Sequence, residues 1–88
     1  MSTHQILVSG KVQGVFYRVS AKKKAKELSI TGWVTNKENG DVEILATGDE
    51  SDLAELESWC RLGPAGADVT NVIVLKQEAA NFKSFTIR

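Results

Sequence analysis

The hydrophobic residues of the chain change their spacing several times, and each spacing predicts one element. The first apolar stretch, residues 5–12, is nearly continuous and ends close to a glycine, as a largely buried strand does. In residues 19–28 the side chains of Ala21, Ala25 and Leu28 fall on one helical face, and lysines occupy much of the remainder. The first two elements are therefore predicted to be a strand and a helix.

The dipeptide Asn39-Gly40 separates two further stretches with strand character, residues 32–36 and 41–47. Both residues of this dipeptide tolerate a positive φ, which is the turn chemistry of a tight hairpin. The two stretches are therefore predicted to be neighbouring antiparallel strands.

The second half of the chain predicts one helix and two strands. Several acidic residues open a stretch with apolar residues at helical spacing, and acidic groups stabilise a helix N-terminus, so we predict a helix over residues 50–62. The valine-rich run of residues 69–75 predicts a fourth strand, and residues 84–88 predict a short terminal one.

The order strand, helix, strand, strand, helix, strand predicts an α+β fold of the ferredoxin-like type. In this α/β sandwich, written β-α-β-β-α-β, an antiparallel sheet carries two helices on one face. No repeat or linker interrupts the sequence, so residues 1–88 are predicted to form a single domain. This fold hosts many functions, so the function has to be inferred from a site.

The charge balance of the chain indicates which kinds of partner it can bind. Eleven Lys and Arg residues are matched by eleven Asp and Glu residues, whereas a nucleic-acid-binding domain normally carries a basic excess. The predicted first and third strands also lack the paired aromatic residues that stack RNA bases on such sheets. We therefore expect no nucleic-acid partner. The charge is nevertheless uneven, with seven basic and four acidic residues in 1–44 (+3) and four and seven in 45–88 (−3).

Single residues of reactive types are predicted to be structural. Cys60 is the only cysteine, so it forms no intrachain disulfide, and its place on the apolar side of a predicted helix favours a buried thiol over a nucleophile. His4, the only histidine, lies in an N-terminal segment that we expect to be flexible, and we expect it at the surface. Trp33 and Trp59 are predicted to pack in the core or against helices.

The N-terminal residues lack the pattern of a signal peptide, and no apolar run approaches the roughly 18 residues that a membrane span requires. We therefore expect a cytoplasmic protein without membrane contact. The absence of paired cysteines agrees with a reducing compartment.

The segment GKVQGVFYR at residues 10–18 joins the predicted first strand to the predicted first helix. A chain that turns there directs backbone N–H groups, with the helix dipole behind them, into a space where an anion can bind. Gly14 permits such a turn, and Arg18 adds a planar guanidinium that matches phosphate or carboxylate oxygens. From these residues alone, a plain turn at Gly14 and a surface position for Arg18 is an equally good interpretation. The glycine spacing matches neither a P-loop nor a dinucleotide fingerprint, so ATP and NAD are not supported.

Four blocks of sequence together resemble the acylphosphatase family: GKVQGVFYR (10–18), TGWVTN (31–36), NGDVE (39–43) and FTIR (85–88). They occur in this order, and the similarity covers about residues 4–88. The resemblance implies an enzyme, an acylphosphatase, that hydrolyses the mixed anhydride of a small acyl phosphate to a carboxylate and inorganic phosphate. It further implies a free-standing monomer that needs no metal and no other cofactor.

The resemblance also implies roles for individual residues. Arg18 would bind the phosphoryl group, and Asn36 would hold the attacking water. The rest of the phosphate-binding loop would be Gly14 and the backbone N–H groups of Val15, Phe16, Tyr17 and Arg18. Since an asparagine carboxamide is no base at neutral pH, the substrate's own phosphate would accept the proton of the water. The alternative is a module that binds phosphate or carbamoyl phosphate without turning it over, like the related domain of larger carbamoyl-transfer proteins.

Overall fold

The computed structural model describes residues 1–88 and contains all seven predicted elements. In chain order these are β1 (Ser2–Lys11), α1 (Tyr17–Glu27), β2 (Thr31–Asn36), β3 (Val42–Gly48), α2 (Glu50–Leu62), β4 (Asp68–Gln77) and β5 (Phe85–Ile87). The helix predicted over residues 50–62 matches α2 at both ends. The other elements differ from their predicted bounds by a few residues. The start of β1 and the end of β4 extend beyond the prediction because these two ends pair with each other.

The strands form one sheet in the order β4-β1-β3-β2-β5. β1 lies antiparallel to β3 and to β4, and β2 lies antiparallel to β3, which confirms the ferredoxin-like α+β arrangement. β5 pairs in parallel with β2, so the sheet is mixed and not purely antiparallel as predicted. The reason is the path of the chain. Residues 78–84 reverse direction after β4, and a strand that opposes β4 necessarily runs parallel to β2.

The hydrophobic core lies between the sheet and the two helices. The buried side chains alternate along the central strands, as residues that share one face of a sheet must, and they meet an apolar stripe from each helix. The core residues include Ile6, Val8, Val34, Ile44, Ala21, Ala25, Leu53, Leu56 and Cys60. Full burial of one large aliphatic side chain such as Leu53 stabilises the fold by about 1.5–3 kcal/mol. The predicted burial of the Cys60 thiol is confirmed.

His4 is the clearest error of the sequence-based predictions, because it is neither flexible nor at the surface. The N-terminal segment belongs to β1, which pairs with β3 from Ser2 onward, and only 6% of His4 is exposed. Its ring packs under α2, where Nδ1 lies 2.6 Å from Oε2 of Glu57. The terminal position of His4 was misleading because the pairing that orders it comes from a distant segment.

The turn between β2 and β3 is a hairpin, as predicted, but it is wider than two residues. Its closing bonds run from the Lys37 N–H to the Asp41 carbonyl at 2.8 Å and from the Gly40 N–H to the Lys37 carbonyl at 3.2 Å. Only Gly40 has a positive φ, of 96°. Asn39 acts through its side chain, whose Oδ1 accepts the Asp41 N–H at 3.0 Å. The predicted tight turn, with a positive φ at both residues, is therefore wrong.

The two tryptophans differ in their surroundings. Trp59 is partly buried on α2 and packs against Tyr17, with ring centroids 5.2 Å apart, as predicted. Trp33 lies on the sheet face away from the helices, beneath Arg88, whose guanidinium carbon is 4.4 Å from the ring centroid. The predicted place of Trp33 in the core is therefore wrong. Neither helix combines the length and apolar character that a bilayer crossing requires.

Candidate active site

Two residues with a left-handed backbone conformation shape the loop that links β1 to α1. Gly14 has φ of 75°, a conformation that glycine adopts without strain. Phe16, the residue directly before α1, has φ of 64° and ψ of 25°, which costs a residue with a Cβ about 1 kcal/mol. Together they turn the chain sharply enough for the helix to begin at Tyr17.

The N-terminus of α1 is open. The first backbone hydrogen bond there runs from the Ser20 N–H to the Phe16 carbonyl at 3.1 Å, so the N–H groups of Tyr17, Arg18 and Val19 have no partner within the helix. No side chain caps this end, and its first turn contains no acidic residue. The first turn of α2, by contrast, carries Glu50 and Asp52. The positive end of the α1 dipole is therefore available to an anion.

Tyr17 fixes this helix start to the core. Its ring is buried against Trp59, and its hydroxyl donates a 2.7 Å hydrogen bond to the carbonyl of Cys60 in α2. Burial raises the pKa of the Tyr17 hydroxyl well above its ordinary value, with the proximity of Cys60 as the second cause. The hydroxyl thus stays protonated and donates at every physiological pH.

Gln13 fastens the same loop to the β2–β3 hairpin. Its Nε2 donates to the carbonyl of Lys37 at 2.8 Å and to the carbonyl of Asp41 at 2.9 Å. Lys37 directly follows Asn36, the last residue of β2. The side chain of Gln13 therefore holds the end of β2 beside the loop. Sequence reasoning did not single out Gln13, and its place inside the 10–18 block was the only signal for it.

A cleft of about 270 Å³ opens where this loop, α1, β2 and β5 meet. It brings together five of the six predicted site residues. Its lining consists of Val12, Gly14, Phe16, Tyr17, Arg18, Val19, Asn36 and Ile87. Val15 is the predicted residue that does not line the cleft, because its side chain packs against the core. Val12, Val19 and Ile87 were not predicted, and an isolated aliphatic residue carries no sequence signal for a site.

Two side chains of the cleft, Arg18 and Asn36, carry polar groups that have no partner within the protein. Arg18 takes part in none of the ion pairs of the protein, so no carboxylate neutralises its guanidinium. Oδ1 of Asn36 is buried and has no hydrogen-bond partner, although buried polar atoms are normally paired. A permanent positive charge and an unused acceptor thus share one small cleft.

The cleft contains no ordinary general base. No Asp, Glu or His lines it, and Tyr17 is held protonated by burial. No cluster of three or more His, Cys, Asp or Glu side chains elsewhere is arranged to hold a metal ion. The chemistry available from the residues of the cleft is therefore charge stabilisation, backbone hydrogen bonding and the carboxamide of Asn36.

The buried thiol of Cys60 predicts that the protein loses stability at alkaline pH. Burial raises the pKa of the Cys60 thiol to about 12, whereas an unfolded chain ionises a cysteine near pH 8.5. Above about pH 9 the unfolded state therefore binds fewer protons than the folded state. The free energy of unfolding then falls by about 1.4 kcal/mol per pH unit for this group. Chemical denaturation from neutral pH to about pH 10 should show this slope in the wild type and a shallower one in Cys60→Ala, and equal slopes would contradict the prediction.

The fold and the cleft define a ferredoxin-like α+β protein whose β1–α1 loop presents unneutralised positive charge. The family model of acylphosphatase matches residues 4–87. An acylphosphatase of Marinobacter nauticus is 49% identical over 81 residues, which cover 92% of this chain and 86% of that protein. The chain belongs to the acylphosphatase family, as its four sequence blocks predicted.

Solved structures agree with this assignment. An acylphosphatase from Coxiella burnetii superposes with a TM-score of 0.96 at 42% identity, covering 99% of this chain and 92% of that one. The acylphosphatase from Bacillus subtilis gives a TM-score of 0.97 at 32% identity, covering 100% and 99%. Both similarities span the whole fold, so the loop, the cleft and the terminal strand all lie within the matched region.

Proposed function

We propose that the cleft hydrolyses the carboxyl-phosphate bond of small acyl phosphates and releases a carboxylate and inorganic phosphate. This is the reaction of the family to which the chain belongs. The observation that carries the proposal for this cleft is the meeting of an unneutralised Arg18 with an unpartnered Asn36 carboxamide.

The phosphoryl group would bind at the open start of α1. The guanidinium of Arg18 offers a planar pair of donors to two phosphoryl oxygens. The free N–H groups of the loop and first turn, from Val15 to Arg18, offer further donors in a fixed arrangement. Donors that are already in place stabilise charge in the transition state, and each can contribute about a hundredfold to a thousandfold in rate. The dipole of α1 adds to the same positive field.

Asn36 would position the attacking water. Asn36 lines the cleft and its Oδ1 has no partner within the protein, so a water that enters beside it can donate one hydrogen to Oδ1 and direct an oxygen lone pair toward phosphorus. The water oxygen then bonds to phosphorus while the phosphorus–oxygen bond to the carboxyl group breaks. The carboxylate leaves with the bonding electron pair and requires no acid. The proton of the water passes to a phosphoryl oxygen, because no side chain of the cleft can accept it.

We further propose that residues 1–88 act as one domain and as a monomer in the cytoplasm, with a small acyl phosphate as their partner. One chain supplies all residues that line the cleft, and a single core supports both helices. The lone buried thiol of Cys60 suits a reducing compartment.

The proposal is tested by mixing the purified protein with benzoyl phosphate in the presence of a chelator. We expect equal amounts of benzoate and inorganic phosphate, a rate that the chelator leaves unchanged, and competitive inhibition by added phosphate. Phosphate binding without hydrolysis would overturn the proposal in favour of the binding-module alternative. Neither binding nor hydrolysis would overturn both.

A further inference from the structure

Phe16 is both strained and exposed. It occupies the left-handed conformation described above, which is an outlier for a bulky residue and one that glycine adopts freely. Its side chain is 80% exposed. A phenylalanine at this position therefore adopts an unfavourable backbone conformation and leaves a large apolar surface in water.

Neither core packing nor an aromatic partner compensates for these costs. Phe16 belongs neither to the hydrophobic core nor to the residues packed against it. The only aromatic ring pair of the protein joins Tyr17 to Trp59, not to Phe16. Strained residues that packing does not explain are concentrated at functional sites.

Two other exposed apolar side chains lie at the same cleft. Val19 from α1 is 59% exposed and Ile87 from β5 is 38% exposed, and both line the cleft with Phe16. Single exposed apolar residues are common on any surface, but these three come from the β1–α1 loop, α1 and β5 and converge beside Arg18 and Asn36. We name Phe16, Val19 and Ile87 the apolar rim.

We propose that the apolar rim binds the acyl group of the substrate, and that the enzyme therefore favours acyl phosphates with apolar, above all aromatic, acyl groups. The proposal rests on the hydrolysis proposed for this cleft. Arg18 and the N–H groups of the helix start take the phosphoryl oxygens, and the acyl carbon is only one oxygen atom away from phosphorus. The acyl group must therefore lie in the same cleft of about 270 Å³ or at its mouth. The exposed apolar side chains there are those of the rim, since Val12 and Tyr17, which also line the cleft, are buried.

Phe16 is the specificity-determining residue in this arrangement. An aromatic ring on a substrate gains stacking or edge contact with the Phe16 ring in addition to area burial, whereas an acetyl group has too little surface to gain either. The left-handed backbone at Phe16 sets the direction of its Cα–Cβ bond, and the side chain lines the cleft.

The test compares kcat/KM for benzoyl phosphate with kcat/KM for acetyl phosphate in the wild type, Phe16→Gly and Val19→Ser. The ratio of the two substrates is the readout. Any disturbance of the phosphoryl site acts on a group that both substrates share and cancels in this ratio. We expect Phe16→Gly to lower the ratio by about tenfold and Val19→Ser to lower it by about threefold. Phe16→Leu, which keeps an apolar side chain, should lower it less than Phe16→Gly.

Leu62→Ser is the matched control, because Leu62 is 76% exposed at the end of α2 and does not line the cleft. Its ratio should equal that of the wild type. An unchanged ratio in both Phe16→Gly and Val19→Ser, with hydrolysis of both substrates intact, would overturn the role of the rim and leave the proposed function standing. A wild-type protein that hydrolyses neither substrate would overturn the proposed function itself. Val19→Ser leaves the loop untouched, so it decides the question even if Phe16→Gly alters folding.

Discussion

Replacement of Arg18 by alanine is expected to lower kcat/KM for benzoyl phosphate by about a thousandfold and to weaken inorganic phosphate as a competitive inhibitor. Both effects have one cause. Arg18 carries the only charged side chain that lines the cleft, and no carboxylate neutralises it. Its removal therefore takes away charge that both the ground state and the transition state use. Steady-state kinetics and phosphate inhibition constants measure the two effects separately.

Two further variants make the Arg18 prediction specific. Arg61→Ala is the matched control, because Arg61 is an exposed arginine on α2 whose Nη1 contacts the carbonyl of Glu57 at 3.1 Å, outside the cleft. It should retain wild-type activity. Arg18→Lys keeps the charge but loses the planar pair of donors, so its activity should fall between those of the wild type and Arg18→Ala. Full activity in Arg18→Ala would refute the assignment of the cleft.

Replacement of Asn36 by alanine is expected to lower kcat by about a hundredfold to a thousandfold while the affinity for inorganic phosphate is retained. The carboxamide is assigned to the water and not to the phosphoryl group, so the loss should be confined to the chemical step. A matched loss of phosphate affinity would contradict this assignment, as would an unchanged kcat. Asn71→Ala, at an exposed position of β4, is the control and should behave as the wild type.

Thermal unfolding separates a functional role of Asn36 from a structural one. Oδ1 of Asn36 makes no hydrogen bond within the protein and is buried. The alanine variant therefore loses no partner and relieves an unpaired acceptor, so its melting temperature should be unchanged or higher. A variant that is less active but not less stable is the expected signature of a residue retained for function.

The fold could be predicted from the sequence wherever the residues that determine an element are close together along the chain. The bounds of α2 were predicted correctly because its acidic first turn and its apolar repeat occur within one short segment. The hairpin between β2 and β3 was found through a local turn signal, although its width was not. The errors at His4 and Trp33 share one cause. Each depends on a segment far away along the chain, α2 in the first case and Arg88 in the second.

The candidate site could also be predicted only in part from the sequence. Arg18 and the loop around Gly14 could be identified because strand, glycine and helix start are contiguous in the sequence. The cleft itself could not, because its wall includes Ile87 from the far end of the chain. The two hydrogen bonds by which Gln13 joins the loop to the β2–β3 hairpin likewise link segments that are distant in sequence.

The sequence by itself determined the order of the elements, the family and the basic half of the chain in which Arg18 lies. Each of these follows from residues that are neighbours along the chain or recur at the period of one element. Only the tertiary structure decided which groups have no bonding or packing partner within the protein. That Arg18 lacks a carboxylate, that Asn36 Oδ1 lacks a donor and that Phe16 lacks a packing partner are relations between distant segments. Hydrogen bonding and burial depend on which segments lie close together in three dimensions, so they are determined only when the chain has folded.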